Sequence, residues 1–522
     1  MSTILQLKLT PKEASEATSI REAVAQILQL PVNSIAHIEL LRKSMDARGR
    51  NIIINLKVEV FLEGEEIKRN TDLFKLQKQH ESTCHIIGLG PAGIYAALQC
   101  LEQGIKPIIF ERGKPVNERI HDIAAINKQR LIHPESNYCY GEGGAGTYSD
   151  GKLYTRSTKR GNVKKVLDTF VQHGADDKIA YEAQPHIGTN KLPKIIARMR
   201  QTILDHGGEI YFGKKLSDII VKDGQIKTLV CEDGSEHPCE QVILATGHSA
   251  RDIFYLLQKR DILIEAKPFA LGVRIEHSQK LIDSIQYNKP ERGKYLPPAS
   301  YKLVTQACGR GVFSFCMCPG GVIASASTGQ NETVVNGWSS SARNGPYSNS
   351  GLVVEVKPQN WQTYASAGAL AALKFQEEIE QLAFNATGSI QAPAQRVEDF
   401  IQNRVSSTLP RTSYQPGITS RDLSEILPSF ITESMRDGLV EFGRKMKGYR
   451  TNNAILVGVE SRTSSPVRIP RDKETLQHPQ ISNLYPCGEG AGYAGGIVSA
   501  AIDGMRCAEA LQIRSSEKLT QA

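Results

Sequence analysis

The feature that most constrains this chain is the run Ile86-Ile87-Gly88-Leu89-Gly90-Pro91-Ala92-Gly93. The apolar stretch 84–88 reads as a strand leading into it, and 91–103 reads as a helix leading out. That context gives each glycine a task. Gly88 permits the tight turn, Gly90 lets backbone approach a pyrophosphate, and Gly93 lets helix and strand pack closely. Pro91 and Ala92 open the helix, whose free amides and positive dipole end then face the anion. The next strand, 106–110, leads to Glu111, 18 residues past Gly93 and placed to accept hydrogen bonds from ribose hydroxyls. Arg112, next in the chain, is positioned to cover an adenine or a phosphate.

A second motif lies near the other end: Leu484-Tyr485-Pro486-Cys487-Gly488-Glu489. It reads as another strand ending in a carboxylate. Gly490, Gly492, Gly495 and Gly496 follow, and a helix over 497–511 begins at Ile497. Glu489 is suited to a ribityl hydroxyl, and the new helix N-terminus to the pyrimidine end of a flavin. NAD has no use for this second, distant contact, so the pair of motifs points to FAD.

Two further segments belong with them. Gly141-Glu142-Gly143-Gly144-Ala145-Gly146-Thr147 matches the same glycine spacing, but no apolar strand precedes it and no helix follows. It reads as a loop whose backbone, at Gly143, Gly144 and Thr147, lies against a flat ring or a diphosphate. Residues 241–245 form an apolar strand ending at Thr246-Gly247, and such ends border the ligand crevice in α/β folds. Leu216, opening a strand over 216–221, joins the ligand-facing set.

The chain's 522 residues suffice for two or three domains, and 40% are apolar. No run of about 18 uncharged apolar residues occurs, and the first residues lack a signal-peptide pattern, so a cytoplasmic protein with no membrane contact is expected. Ten scattered cysteines without zinc spacing read as reduced thiols. The net charge of +8 comes without a basic block, which makes nucleic acid an unlikely partner and suits small anionic ligands.

The expected fold class is α/β: a Rossmann-type FAD-binding domain with an inserted α+β substrate domain and a small N-terminal α/β module. The module spans 1–80, with a helix start left open between Thr10-Pro11-Lys12-Glu13 and Ser19-Ile20-Arg21-Glu22, and with Lys43–Arg50 as a basic loop between strands. The FAD-binding domain spans 81–267 and resumes at 476–515. The substrate domain spans 268–475, with a long helix around 364–384 and a Gly/Ser/Asn-rich loop at 329–351.

These motifs, with the segments FCMCPGG and VESRTSSPVRI, resemble the FAD-dependent proteins often called NAD(FAD)-utilising dehydrogenases. The resemblance covers nearly the whole chain. It implies a FAD-binding fold related to p-hydroxybenzoate hydroxylase and fumarate reductase. The Gly488-Glu489 pair is similar to the Gly-Glu of the fumarate-reductase-like branch, where the hydroxylase branch more often has Asp.

The implied activity is hydride transfer between flavin and an organic substrate, with NAD(P)H as a transient reductant. Candidates for catalysis are Cys316 and Cys318, which could exchange electrons with a flavin or share one packed strand face. Arg462 and Arg468 would clamp an anion in bidentate fashion. His248 reads as a structural histidine or an acid–base group. Two rival readings remain: a flavin-dependent RNA-modifying enzyme docking through Lys43, Arg48 and Arg50, and a FAD-stabilised binding protein without catalysis.

Overall fold

A computed structural model describes residues 2–49, 51–67, 71–155 and 159–520, with side chains to 511. At the centre is a five-stranded sheet in the order Leu484–Pro486, Val242–Leu244, Ser82–Ile87, Ile105–Glu111, Glu209–Phe212. Every pairing in it is parallel. The strands are short, and the central ones are mostly apolar and buried toward their carboxyl ends, as strands covered on both faces are. Their carboxyl ends lie side by side: Gly88 N donates to the Phe110 carbonyl, Ala245 N to Ile87 and Cys487 N to Leu244. The two sequence-distant motifs therefore lie at the same carboxyl end of the sheet, one strand apart.

The helices Pro91–Glu102, Leu192–Asp205 and Ile497–Thr520 flank this sheet and share its core, which includes Ile86, Leu98, Ile109, Ile195, Ile243 and Val498. The strands Leu216–Lys222, Gln225–Cys231 and Glu236–Pro238 form a separate antiparallel meander, as the turn at Asp223-Gly224 predicts.

The second large body is a seven-stranded sheet, ordered Leu303–Ala307, Arg310–Cys318, Tyr347–Val356, Phe269–Ser278, Ile455–Glu460, Ala392–Arg396, Ile418–Ser420. The helices Ala371–Thr387 and Ser429–Lys445 contribute to a core containing Val273, Leu352, Val354, Phe375, Leu439 and Phe442.

The stretch 329–351 is not one loop. Val335–Trp338 pairs with Val322–Ser325, and Tyr347–Val356 is a central strand. Some of its buried polar atoms find partners there: Asn349 Oδ1 accepts from Arg274 at 2.7 Å, and the Ser350 and Ser314 hydroxyls lie 2.7 Å apart. The long helix begins later than its apolar spacing suggests, after a 3₁₀ segment over Pro358–Leu370.

In the N-terminal module, Thr10 and Glu13 do form a reciprocal capping box, Glu13 Oε2 accepting the Thr10 amide at 2.8 Å and Thr10 Oγ1 the Glu13 amide at 3.3 Å. It closes only the 3₁₀ turn Glu13–Ser15; the helix is Ala17–Leu28. The strand Ile35–Asp46 takes in the first half of the supposed basic loop, pairing Lys43 with Leu56 and Asp46 with Ile53. Lys43 N also donates to the Tyr181 carbonyl at 2.7 Å, and Ala183 N to that of Lys43 at 2.9 Å. Arg48 is held by Asp46. Arg50 lies outside the described residues.

Candidate functional site

The turn after the strand Ser82–Ile87 is shaped by two glycines. Gly88 has φ +102°, and a Cβ there would stand 2.5 Å from the Ala245 carbonyl oxygen. A Cβ on Gly93 would stand 1.9 Å from the Gly88 carbonyl oxygen, so a side chain would force the helix off its strand. Gly90 caps the helix and Pro91 occupies its first turn, where a missing amide costs nothing.

Glu111 is buried at the end of the adjacent strand. Its carboxylate accepts three backbone amides: Leu89 on Oε2 at 2.9 Å, and Gly113 and Gly141 on Oε1 at 2.9 and 3.1 Å. It thus ties both glycine loops together while still lining the cavity. Arg112 is pinned by Glu135 at 2.5 Å and Asp252 at 2.8 Å, with its guanidinium 4.3 Å from the Tyr140 ring centroid. Burial opposes its charge, but Tyr140, Glu135 and Asp252 outweigh it and hold the pKa above the usual arginine value.

The 141–147 run is a loop, as its context implies, and it faces the first glycine turn. Gly143 N donates to the Leu89 carbonyl at 2.8 Å, Gly144 comes against Gly90, and Thr147 Oγ1 donates to the Glu142 carbonyl at 2.9 Å. The fully buried Glu142 accepts from Val116 N and Arg200, each at 2.8 Å.

Between these walls runs a cavity of about 330 Å³, within the range of about 300–1,000 Å³ typical of small-molecule sites. Gly88, Gly90, Pro91, Ala92 and Gly144 line one stretch of it, and Glu111, Arg112 and Leu216 another. Thr246, Gly247, Glu489, Gly496 and Ile497 line it too. Of the remaining candidates, Gly93, Gly143 and Thr147 support these walls from behind, and the Gly488 amide is fixed by Asp503 at 2.8 Å. Glu489 Oε1 lies 3.4 Å from His248 Nδ1, a buried nitrogen with no hydrogen-bond partner among the described residues.

The cavity suits a dinucleotide. A Cβ on Gly247, Gly495 or Gly496 would meet no protein atom within 4 Å, although all three residues form the wall. A cradle of side-chain-free glycine backbone, a polar nitrogen beside it without a hydrogen-bond partner among the described residues, a helix N-terminus and a carboxylate at each of two strand ends fit the requirements of FAD.

Cys316 of the seven-stranded sheet, with Asn336 and Gly337 of the strand pair Val322–Ser325 and Val335–Trp338, also lines the cavity. Cys316 and Cys318 do not share a strand face. A β-bulge lies between Phe315 and Cys318, and Cys316 has φ +52°. Bulges re-aim side chains. Cys316 is solvent-accessible and borders the cavity, whereas Cys318 is buried behind it. The Cys316 sulfur faces the cavity and not bulk water, and that desolvation raises its pKa against the pull of Lys152, so the group is a thiol at neutral pH.

Arg462 and Arg468 do not form one clamp. Arg468 is exposed, 5.8 Å from the Tyr493 ring centroid. Arg462 is buried, and its guanidinium is engaged by Glu332 at 2.6 Å, Glu380 at 3.0 Å and Thr328 at 2.9 Å. Arg251 shares Glu380 at 2.7 Å. Burial would raise the Glu380 pKa; Arg251 and Arg462 overcome it and hold the carboxyl at about 2.

Sequence reading missed Lys152, Asp150 and Asn336. The one available clue was the polar run Ser149-Asp150-Gly151-Lys152 following the glycine loop.

Residues 268–463 match a family described as FAD-dependent protein, C-terminal domain-like, and residues 1–61 match a domain of unknown function. An uncharacterized protein of Clostridium beijerinckii is 39% identical over 511 residues, covering 94% of this chain and 95% of the relative. The thiamine thiazole synthase of Aeropyrum pernix is 24% identical over 190 residues, 34% of this chain and 58% of that enzyme. Among solved structures, E. coli quinol fumarate reductase FrdA aligns at TM-score 0.35 and 13% identity, covering 84% of this chain and 71% of that one. CtdE in complex with FAD aligns at TM-score 0.31 and 10% identity, covering 83% and 88%. No helix among the described residues is long and apolar enough to cross a membrane.

Proposed function

The chain belongs to the family of FAD-dependent proteins, and from that premise we propose that it is an oxidoreductase passing hydride between bound FAD and a small organic substrate. The observation that carries the proposal is the single cavity reaching from Glu111 to Glu489 past both glycine loops.

The bound flavin would supply the hydride-exchanging ring. The chain's own residues do the rest. Backbone at Gly90 and Gly144, with the N-terminus of the helix Pro91–Glu102, takes the pyrophosphate. Glu111 takes a ribose hydroxyl and Glu489 a ribityl hydroxyl. The N-terminus of the helix Ile497–Thr520 stabilises negative charge at the pyrimidine end. The bulged strand at Cys316 and the neighbouring Asn336 and Gly337 form the substrate wall. Cys316 is the thiol that can meet substrate, Cys318 supports it, and Arg462 positions the wall through Glu332 and Glu380. NAD(P)H, on this reading, visits the site without a domain of its own.

The test is anaerobic mixing of the purified protein with NADH, NADPH and a panel of organic reductants, following flavin absorbance. Bleaching by one donor, with recovery on adding an organic acceptor, supports the reading. A flavin that no donor bleaches contradicts it.

A further inference from the structure

At the end of the cavity lined by Cys316, Asn336 and Gly337, Lys152 and Asn336 offer hydrogen-bond donors. The cavity-lining cations Arg112, Lys214, Lys215 and Arg462 each have a carboxylate partner: Glu135, Asp233, Glu232 and Glu332 respectively. Lys152 differs. Its ammonium donates to Cys318 Sγ at 3.5 Å, and its one carboxylate contact, Asp150 Oδ2 at 3.5 Å, is longer than any of theirs. Asp150 is itself already engaged, by Arg343 through both carboxylate oxygens and by the Ser339 hydroxyl. The Lys152 side chain keeps 37% of its surface accessible, and it lines the cavity.

Asn336 supplies a second donor on the same wall. Its Oδ1 accepts from Arg274 at 3.3 Å and from the Gly337 amide at 2.7 Å. That arrangement leaves Nδ2 as a donor without a partner among the described residues. Arg274 in turn reaches the Cys316 carbonyl at 3.2 Å and Cys318 Sγ at 3.8 Å, so one buried guanidinium braces both the Asn336 amide and the sulfur behind Lys152. Arg274 is neutralised by Glu460 at 2.9 Å and adds no free charge. The Cys316 thiol is a weak donor at most.

We propose that Lys152, assisted by the Asn336 amide, anchors the substrate through an anionic group, so that the substrate is a small organic carboxylate. The inference rests on the functional reading above and narrows it to one substrate class. The charge beside the anchor favours it: burial opposes the ammonium, and the Asp150 carboxylate keeps it charged. Arginine pairing has silenced the nearest carboxylate, which would otherwise repel an anion.

The test uses purified protein with its bound flavin, titrated with benzoate and with succinate while the flavin absorbance spectrum is followed. Wild type should show a saturable spectral shift with at least one of them. Lys152→Gln should weaken that binding by about ten- to hundredfold, the range of a charge-assisted hydrogen bond, while Lys152→Arg stays within about threefold. Asn336→Ala should weaken it less than Lys152→Gln. Equal affinity in wild type and Lys152→Gln would overturn the inference, as would a wild-type spectrum that neither carboxylate moves. So would a fall in flavin reduction potential in Lys152→Gln with carboxylate affinity unchanged, because the charge would then serve the flavin and not the substrate. Protein that carries no flavin would overturn the functional reading beneath; yellow protein indifferent to carboxylates overturns this inference alone.

Discussion

The amide of Gly143 donates to the carbonyl of Leu89 across 2.8 Å. This bond joins two glycine loops from separate parts of the chain into opposing walls of one channel. Gly144 follows, and a Cβ on it would lie 3.1 Å from the Gly90 Cα. Gly144→Val should therefore narrow the channel at the pyrophosphate position and weaken FAD binding by about tenfold or more, in line with overpacking costs of about 1–3 kcal/mol. Equilibrium dialysis of the variant against FAD measures it.

Glu111 fastens the same junction with three accepted amides. Glu111→Ala leaves those amides unpaired and removes the ribose acceptor. FAD retention should fall by about tenfold or more, with a stability loss of about 1–3 kcal/mol. Urea unfolding with and without added FAD separates the two effects.

Glu380 carries an acid-branch prediction. Its folded pKa, about 2, is depressed below the ordinary value of 4.5. Its contribution is therefore fully present above about pH 4.5 and is lost as pH falls toward 2, with a size on the order of 3 kcal/mol. Glu380→Gln should flatten the fall in stability across that window. Arg462→Ala, which leaves Glu380 to Arg251 alone, should cost about 1–3 kcal/mol at neutral pH. Denaturation midpoints collected from pH 2 to 7 test both.

Cys316 is a protonated thiol, its pKa raised by desolvation at the cavity against the pull of Lys152. Iodoacetamide should label it slowly at pH 7 and faster as pH rises above 9, and Cys316→Ser should leave FAD retention unchanged. Rapid labelling at pH 7, located by peptide mass mapping, would identify a thiolate instead.

What could be read from the sequence followed from local rules. The turn at Gly88, the acid at Glu111 and the strand ending in Glu489 depend on neighbours a few residues away, and their parallel register follows from the apolar runs that precede them. The misread features depend on distant partners. Arg462 looks like a free anion clamp until Glu332 and Glu380, 130 and 82 residues away, arrive beside it. Tyr347–Val356 reads as a loop at its polar start because nothing local shows that Arg274 and Ser314 will bond the Asn349 carbonyl oxygen and the Ser350 hydroxyl. The bulge that parts Cys316 from Cys318 is a property of strand register, which alternation alone does not reveal.

The central claim is that both motifs hold one FAD. The most direct measurement is to purify the protein without added cofactor, denature it, and identify and count the released flavin by chromatography. The structure predicts FAD, close to one per chain, with loss of most of it in Glu111→Ala. Release of FMN, or colourless protein that takes up no added FAD, would contradict the account.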